Sequence, residues 1–180
     1  MSILPNTNEW TYEQYALIPN DGLRHEIVNG AHFMNPAPNL YHQTVSRRIQ
    51  FQLYRVIEIA GKGVVFNAPV DVQLSNRDIV QPDLVVIETS RQKIMTPTKI
   101  KGIPNLLVEI LSPSNADYDL KKKRELYERS GVPEYWIVLP DEQQVIQLSL
   151  IDGRYQESIH HDAITMIEPP QATVDLTQVW

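Results

Sequence analysis

The alternation of apolar and polar positions divides this chain of 180 residues into many short extended runs and two longer helical ones. Thr11 to Ala16 predicts a short helix, with Thr11 at its N-cap and Glu13 and Gln14 in its first turn. Beyond the turn cluster Pro19-Asn20-Asp21-Gly22, the runs Leu23 to Val28 and Ala31 to Met34 predict two strands. Asn29-Gly30 between them is the strongest short hairpin signal a sequence offers. From Leu40 to Ala60 the period changes. Val45, Ile49, Leu53, Val56 and Ile57 recur at three- and four-residue spacing, as on the apolar face of an amphipathic helix that Gly61 ends.

Strands follow at Gly63 to Asn67, Val70 to Leu74 and Asp83 to Glu88, and then an irregular loop from Arg91 to Gly102. Leu106 to Leu111 is apolar on both sides except for one acid, the pattern of a strand covered on both faces. Asp119 to Ser130 predicts a second helix, stopped by Gly131 and Pro133. Glu134 to Leu139, Val145 to Leu150 and Tyr155 to Ile159 predict strands, the last two joined by a turn at Asp152-Gly153. A short strand near Ala172 to Leu176 precedes an apolar Val179-Trp180. The expected class is α+β: one α/β-type mixed sheet flanked by helices, in a single domain over residues 1–180.

Composition narrows the function. Sixteen Lys and Arg against twenty-two Asp and Glu give a net charge of −6, which argues against coating DNA or anionic membrane through a broad basic surface. With no cysteine, disulfides, thiolate zinc sites, iron–sulfur clusters and a cysteine nucleophile are excluded. The start carries no secretory pattern, and apolar runs of about five residues fall far short of the ~20 that a membrane helix needs. A soluble, cytoplasmic domain is the expectation. Neither a phosphate-cradling glycine loop nor a Gly-x-Ser-x-Gly elbow is present.

Two acids are placed unusually. Asp83 opens the strand Asp-Leu-Val-Val-Ile, and Glu109 shares by alternation the face of Leu107 and Leu111. A carboxylate aimed among apolar side chains must protonate or find a partner. A bound cation suits two acids at once, and oxygen ligands at adjacent strand ends are what Mg²⁺ uses. An edge residue or half of a salt bridge is the plainer explanation. Close behind Glu109 come Ser112-Pro113-Ser114 and a helix carrying Lys121, Lys122, Lys123 and Arg124. Asp119, Lys123 and Tyr127 stack on one helical face, either as an ordinary salt bridge or as a means of bringing an ammonium to the carboxylates and a phosphate.

These residues resemble the PD-(D/E)XK nuclease superfamily, through Pro82-Asp83 and Glu109 on a second strand. The closer resemblance is to the bacterial Uma-two family of restriction-endonuclease-like proteins. It is carried by Arg24-His25-Glu26-Ile27-Val28-Asn29-Gly30, by Gln81-Pro82-Asp83-Leu84-Val85-Val86 and by Leu107-Val108-Glu109-Ile110-Leu111-Ser112-Pro113-Ser114. Tyr118-Asp119, Lys123, Tyr127 and Gly131-Val132-Pro133-Glu134-Tyr135-Trp136 complete it, so that it covers about residues 10 to 160.

The resemblance implies a restriction-endonuclease-like core and a DNA endonuclease dependent on Mg²⁺ or Mn²⁺. It makes Asp83 and Glu109 metal ligands and Lys123 the catalytic lysine. The superfamily's lysine stands two residues after the glutamate, where this chain has Leu111; in relatives with that gap it moves to the following helix, and Lys123 matches that position. Glu26 matches a further family acid, either a third metal oxygen or an organiser of the site. Ser112, Lys121, Lys122 and Arg124 are candidate substrate contacts, and nucleases of this fold pair up often enough that a homodimer is a further expectation. His42 falls where the family tends to carry a histidine, but a solvent-facing or capping role is the simpler expectation. A catalytically weak or inactive binding module that keeps the nuclease fold is the competing function.

Overall fold

The computed structural model describes residues 9–19, 21–35, 37–111 and 118–180, with side chains from 121 onward in the last stretch. A four-residue helix α1 (Tyr12–Tyr15) leads into a hairpin of β1 (Arg24–Val28) and β2 (Ala31–Asn35). Asn29 and Gly30 both take positive φ, 52° and 75°, which is what a two-residue turn matched to strand twist requires. Helix α2 (Leu40–Leu53) starts at Asn39, whose side chain accepts from the His42 backbone N–H, and continues as a wider turn over Tyr54–Glu58. Then come β3 (Gly63–Asn67), β4 (Val72–Ser75), β5 (Asp78–Val80), β6 (Leu84–Glu88), β7 (Ile100–Lys101) and β8 (Leu106–Ile110). After a wide helical turn over Tyr118–Lys123, helix α3 (Arg124–Ser130) ends at Gly131, whose φ of 79° is the left-handed stop that a side chain resists. Strands β9 (Glu134–Leu139), β10 (Gln144–Ile151), β11 (Arg154–His160), β12 (Ala163–Thr165) and β13 (Thr173–Asp175) complete the chain.

The mixed α+β class holds, but the strands do not form one sheet. Among the described residues they form a six-stranded sheet in the order β11-β10-β9-β8-β6-β3, a five-stranded sheet in the order β2-β1-β5-β4-β7, and the pair β12-β13. The cause is β5, a three-residue strand too short to show a period, which pairs with both β1 and β4 and draws them into a separate layer.

The central strands β6, β8 and β9 of the six-stranded sheet are buried on both faces, as their near-continuous apolar runs require, while the edge strand β11 is mostly exposed. One face carries Leu84, Val86, Val108, Trp136 and Val138 against Val45, Ile49 and Leu53 of α2. The other carries Val85, Ile87, Leu107, Tyr135 and Ile137 against Leu126 and Tyr127 of α3 and residues of the five-stranded sheet. Val179 is fully buried in the first of these cores with Trp180 packed against it, so the apolar tail docks on its own chain. Strands β8 and β9 run parallel while β6 and β8 run antiparallel, which brings the start of β6 beside the end of β8. The charged residues collect there.

Candidate active site

Leu84 pairs with Val108, so one step further along the same register Asp83 stands opposite Glu109. Both are almost completely buried, at 4% and 3% exposed. Asp83 bends across the strand end: its Oδ2 accepts from the backbone N–H of Ile110 at 2.8 Å. The same oxygen lies 3.0 Å from His42 Nε2, and Oδ1 accepts from Arg24 Nη1 at 3.1 Å. Burial alone would raise the Asp83 pKa, but His42, Arg24 and the Ile110 N–H outweigh it and hold the carboxyl below its ordinary range.

Glu109 lies on the α3 side of the sheet. Its Oε1 accepts from Lys123 Nζ at 2.7 Å and from the Tyr127 hydroxyl at 2.8 Å. Lys123 and Tyr127 are four residues apart, so one helical face delivers both donors. Burial, and then the Glu109 and Glu26 charges, push the Tyr127 phenol well above its ordinary pKa, which keeps it a donor. Lys123 itself is 1% exposed.

Glu26, on β1, reaches the same ammonium: its Oε1 is 2.9 Å from Lys123 Nζ. That oxygen also accepts from the Gln81 backbone N–H at 2.7 Å, and Oε2 accepts from the Asn35 side chain at 2.6 Å. Arg24 and Glu26 share a face of β1 by alternation, which places Arg24 at Asp83 and Glu26 at Lys123. Arg24 also donates to the Gln81 carbonyl. Burial disfavours the Arg24 guanidinium, yet the charges of Asp83, Glu109 and Glu26 more than restore it.

Asp83, Glu109, Lys123 and Glu26 are thus gathered into one network. Lys121 and Lys122 are exposed, with Lys122 Nζ 4.7 Å over the Phe33 ring. Arg124 bonds Glu157 at 2.8 Å on the half-exposed surface. Ser112 lies outside the described residues. The expectation for His42 is overturned: it is 7% exposed and its ring is bonded to Asp83, while Asn39 caps the helix. Its signal was visible, since His42, Val45, Ile49 and Leu53 form one buried stripe. Arg24 and Gln81 left no local signal, because their partners stand far away in the chain; Asn35 lies nine residues from Glu26, within reach of the β1–β2 hairpin register.

Among the described residues no group of three His, Asp or Glu side chains is arranged to hold a metal ion. The donor chemistry nevertheless fits a hard cation. Glu26, Asp83 and Glu109 bring three formal negative charges, and Arg24 and Lys123 two positive ones, so the described network carries one in excess. Mg²⁺ is commonly held by only one or two carboxylates, its remaining positions going to water and substrate.

A solved structure from Anabaena variabilis ATCC 29413, described as a putative nuclease, superposes with a TM-score of 0.77 over 94% of this chain and 96% of that one, at 18% identity. That likeness shows the fold, restriction-endonuclease-like, as the family resemblance implies. No curated protein matches the sequence. The family model Uma2, described as "putative restriction endonuclease", matches residues 12–178, and the chain therefore belongs to the Uma-two family.

Proposed function

We propose that this chain is a single-domain, metal-dependent nuclease that hydrolyses phosphodiester bonds in DNA, with Asp83 and Glu109 as metal ligands and Lys123 as the catalytic cation. The family's description and the fold support nuclease chemistry. The observation that carries the site assignment is the Lys123 ammonium, held 2.7 Å from Glu109 and 2.9 Å from Glu26. A lysine from the last position of the wide turn before α3 thereby stands at the glutamate although position 111 is leucine.

Each residue then has a task. Arg24, His42 and the Ile110 N–H keep Asp83 ionised and fix its direction. Tyr127 pins Glu109 against rotation. Glu26 is the organiser: its two oxygens are engaged by Lys123, Gln81 and Asn35, and it holds the ammonium in place. Lys123 offers positive charge, preorganised in a site from which water is largely excluded, to a phosphate oxygen as charge develops. A bound Mg²⁺ or Mn²⁺ supplies Lewis-acid stabilisation and a lowered water pKa.

A second reading has its own observation. Every carboxylate of the cluster is already paired with a cation or a neutral donor, as in an ion network that only holds β1, β8 and α3 together. One experiment separates the two. Purified protein is incubated with supercoiled plasmid and with single-stranded DNA in Mg²⁺, Mn²⁺ or EDTA, alongside folded Glu109→Ala and Lys123→Ala. Metal-dependent nicking lost in both variants is expected. Equal nicking by wild type and Glu109→Ala would sink the assignment.

A further inference from the structure

A cavity of about 250 Å³ opens beside Asp83, on the α2 side of the network. Asp83 and His42 form its inner wall, Gln43 and Ser46 of α2 one flank, and Pro38 and Pro69 apolar surfaces elsewhere in its lining. His42 is 7% exposed, and its Nδ1, the ring nitrogen that does not face Asp83, has no hydrogen-bond partner among the described residues. Such a buried orphan needs an explanation, and a ligand or an ordered water supplies one. The Gln43 and Ser46 side chains are also unused: neither bonds another described residue, although both lie at the cavity.

The lining selects a chemistry. The Arg24 guanidinium beside the cavity is already offset by Asp83, so there is no spare charge to favour a phosphate over a neutral ligand. An amide, a hydroxyl and proline faces suit a flat, uncharged group with donors and acceptors on its edge. The cavity has room for one such ring system.

We propose that this cavity receives a single unpaired nucleobase, from the nucleotide next to the phosphate presented to Asp83 and Glu109. The inference rests on the nuclease reading and deepens it, for a base inside an intact duplex cannot enter. The substrate class is therefore single-stranded or locally unpaired DNA.

The test is binding, read without turnover. A single-stranded oligodeoxynucleotide carrying 2-aminopurine is titrated with the full chain in EDTA and in Ca²⁺, as the free strand and annealed to its complement. Fluorescence change reports base environment and anisotropy reports affinity. The free strand should bind about tenfold more tightly than the duplex, the size of effect one buried base gives. Ser46→Trp, which fills the cavity from a partly exposed helix position, should remove that advantage and the fluorescence change. Gln43→Ala should weaken binding a few-fold. Melting curves check that both variants fold. Equal binding of strand and duplex, or undiminished strand binding by folded Ser46→Trp, overturns the proposal. Failure of the nuclease reading looks different: the cavity still discriminates strand from duplex, yet no metal supports nicking.

Discussion

Glu109 and Glu134 stand in adjacent parallel strands, both buried, each the lone acid of an apolar run, yet their surroundings differ in kind. Glu109 lies near the end of β8 and meets the Lys123 ammonium and the Tyr127 hydroxyl. Glu134 opens β9, opposite Leu106 at the other end of the sheet, and meets only neutral donors. Its Oε1 accepts from the Trp136 indole at 2.7 Å and the Gln147 amide at 2.6 Å; its Oε2 accepts from the backbone of Ile167 and Glu168. The last two bonds tie the segment after β12 to the sheet, and the first two hold the carboxylate within it. Burial outweighs them and raises the Glu134 pKa, whereas at the other end Asp83 is lowered by its partners. A buried acid is therefore not by itself a site. Glu109 has an ammonium for a partner and Glu134 only neutral donors that fasten a loop, and this difference in partners is what the proposed role of Glu109 rests on.

The sharpest way to break the comparison is to remove the cation. Lys123→Met leaves Glu26 and Glu109 buried without their shared ammonium, and loss of one partner from a buried pair costs about 3–5 kcal/mol. Urea unfolding should show that loss, and nicking should vanish in the fraction that still folds. Adding Glu26→Gln should recover part of the stability and none of the activity. A stability loss within about 0.5 kcal/mol would mean that the network is looser than its distances imply.

Acid tests the Asp83 end. Its folded pKa lies below the unfolded 3.8, so the stability it contributes is in place above that value and is lost as pH falls through the lower one. Thermal melts from roughly pH 6 to 2 should show wild type losing stability steeply below about pH 4. Asp83→Asn should be less stable at pH 6 and flatter across that window. Parallel curves for the two proteins would remove Asp83 from the charged state argued for it.

Glu134→Gln probes the other region. An amide presents one acceptor oxygen where the carboxylate had two, so two of the four donors face an NH₂ instead. Leaving buried donors unsatisfied costs about 1–3 kcal/mol. Nicking per folded molecule should be unchanged, and a large loss of activity with stability intact would erase the distinction between the two acids.

How much of this was legible in the chain follows the range of the interactions. The Asn29-Gly30 hairpin, the face of Glu109 and the stacking of Lys123 on Tyr127 are all local, set by periods of two or 3.6 residues, and they stand as the pattern implies; the α2 stripe does so through Val45, Ile49, Leu53 and Ile57, whereas Val56 is exposed where the helix widens over Tyr54–Glu58. Strand β5 has three residues and no period, so its division of the strands into two layers was hidden. Arg24 and His42 reach Asp83 across 59 and 41 residues of chain, and no spacing rule connects them. The asymmetry between Glu109 and Glu134 has the same origin. Each reads as one acid in an apolar strand, and only the tertiary partners separate them.

The smallest expected effect concerns the basic cluster at the start of α3, which the sequence offers as a phosphate contact. Arg124 pairs with Glu157 at 2.8 Å, with the two side chains 39% and 40% exposed, where solvent screens most of the attraction. Arg124→Ala should change stability by no more than about 0.5–1 kcal/mol. Its informative readout is salt. If the guanidinium leaves Glu157 to meet a DNA phosphate, the slope of log affinity against log salt should fall by about one in the variant. An unchanged slope would assign Arg124 to β11 alone. The positive charge offered to substrate would then come from the exposed Lys121 and Lys122 and from the buried ammonium of Lys123.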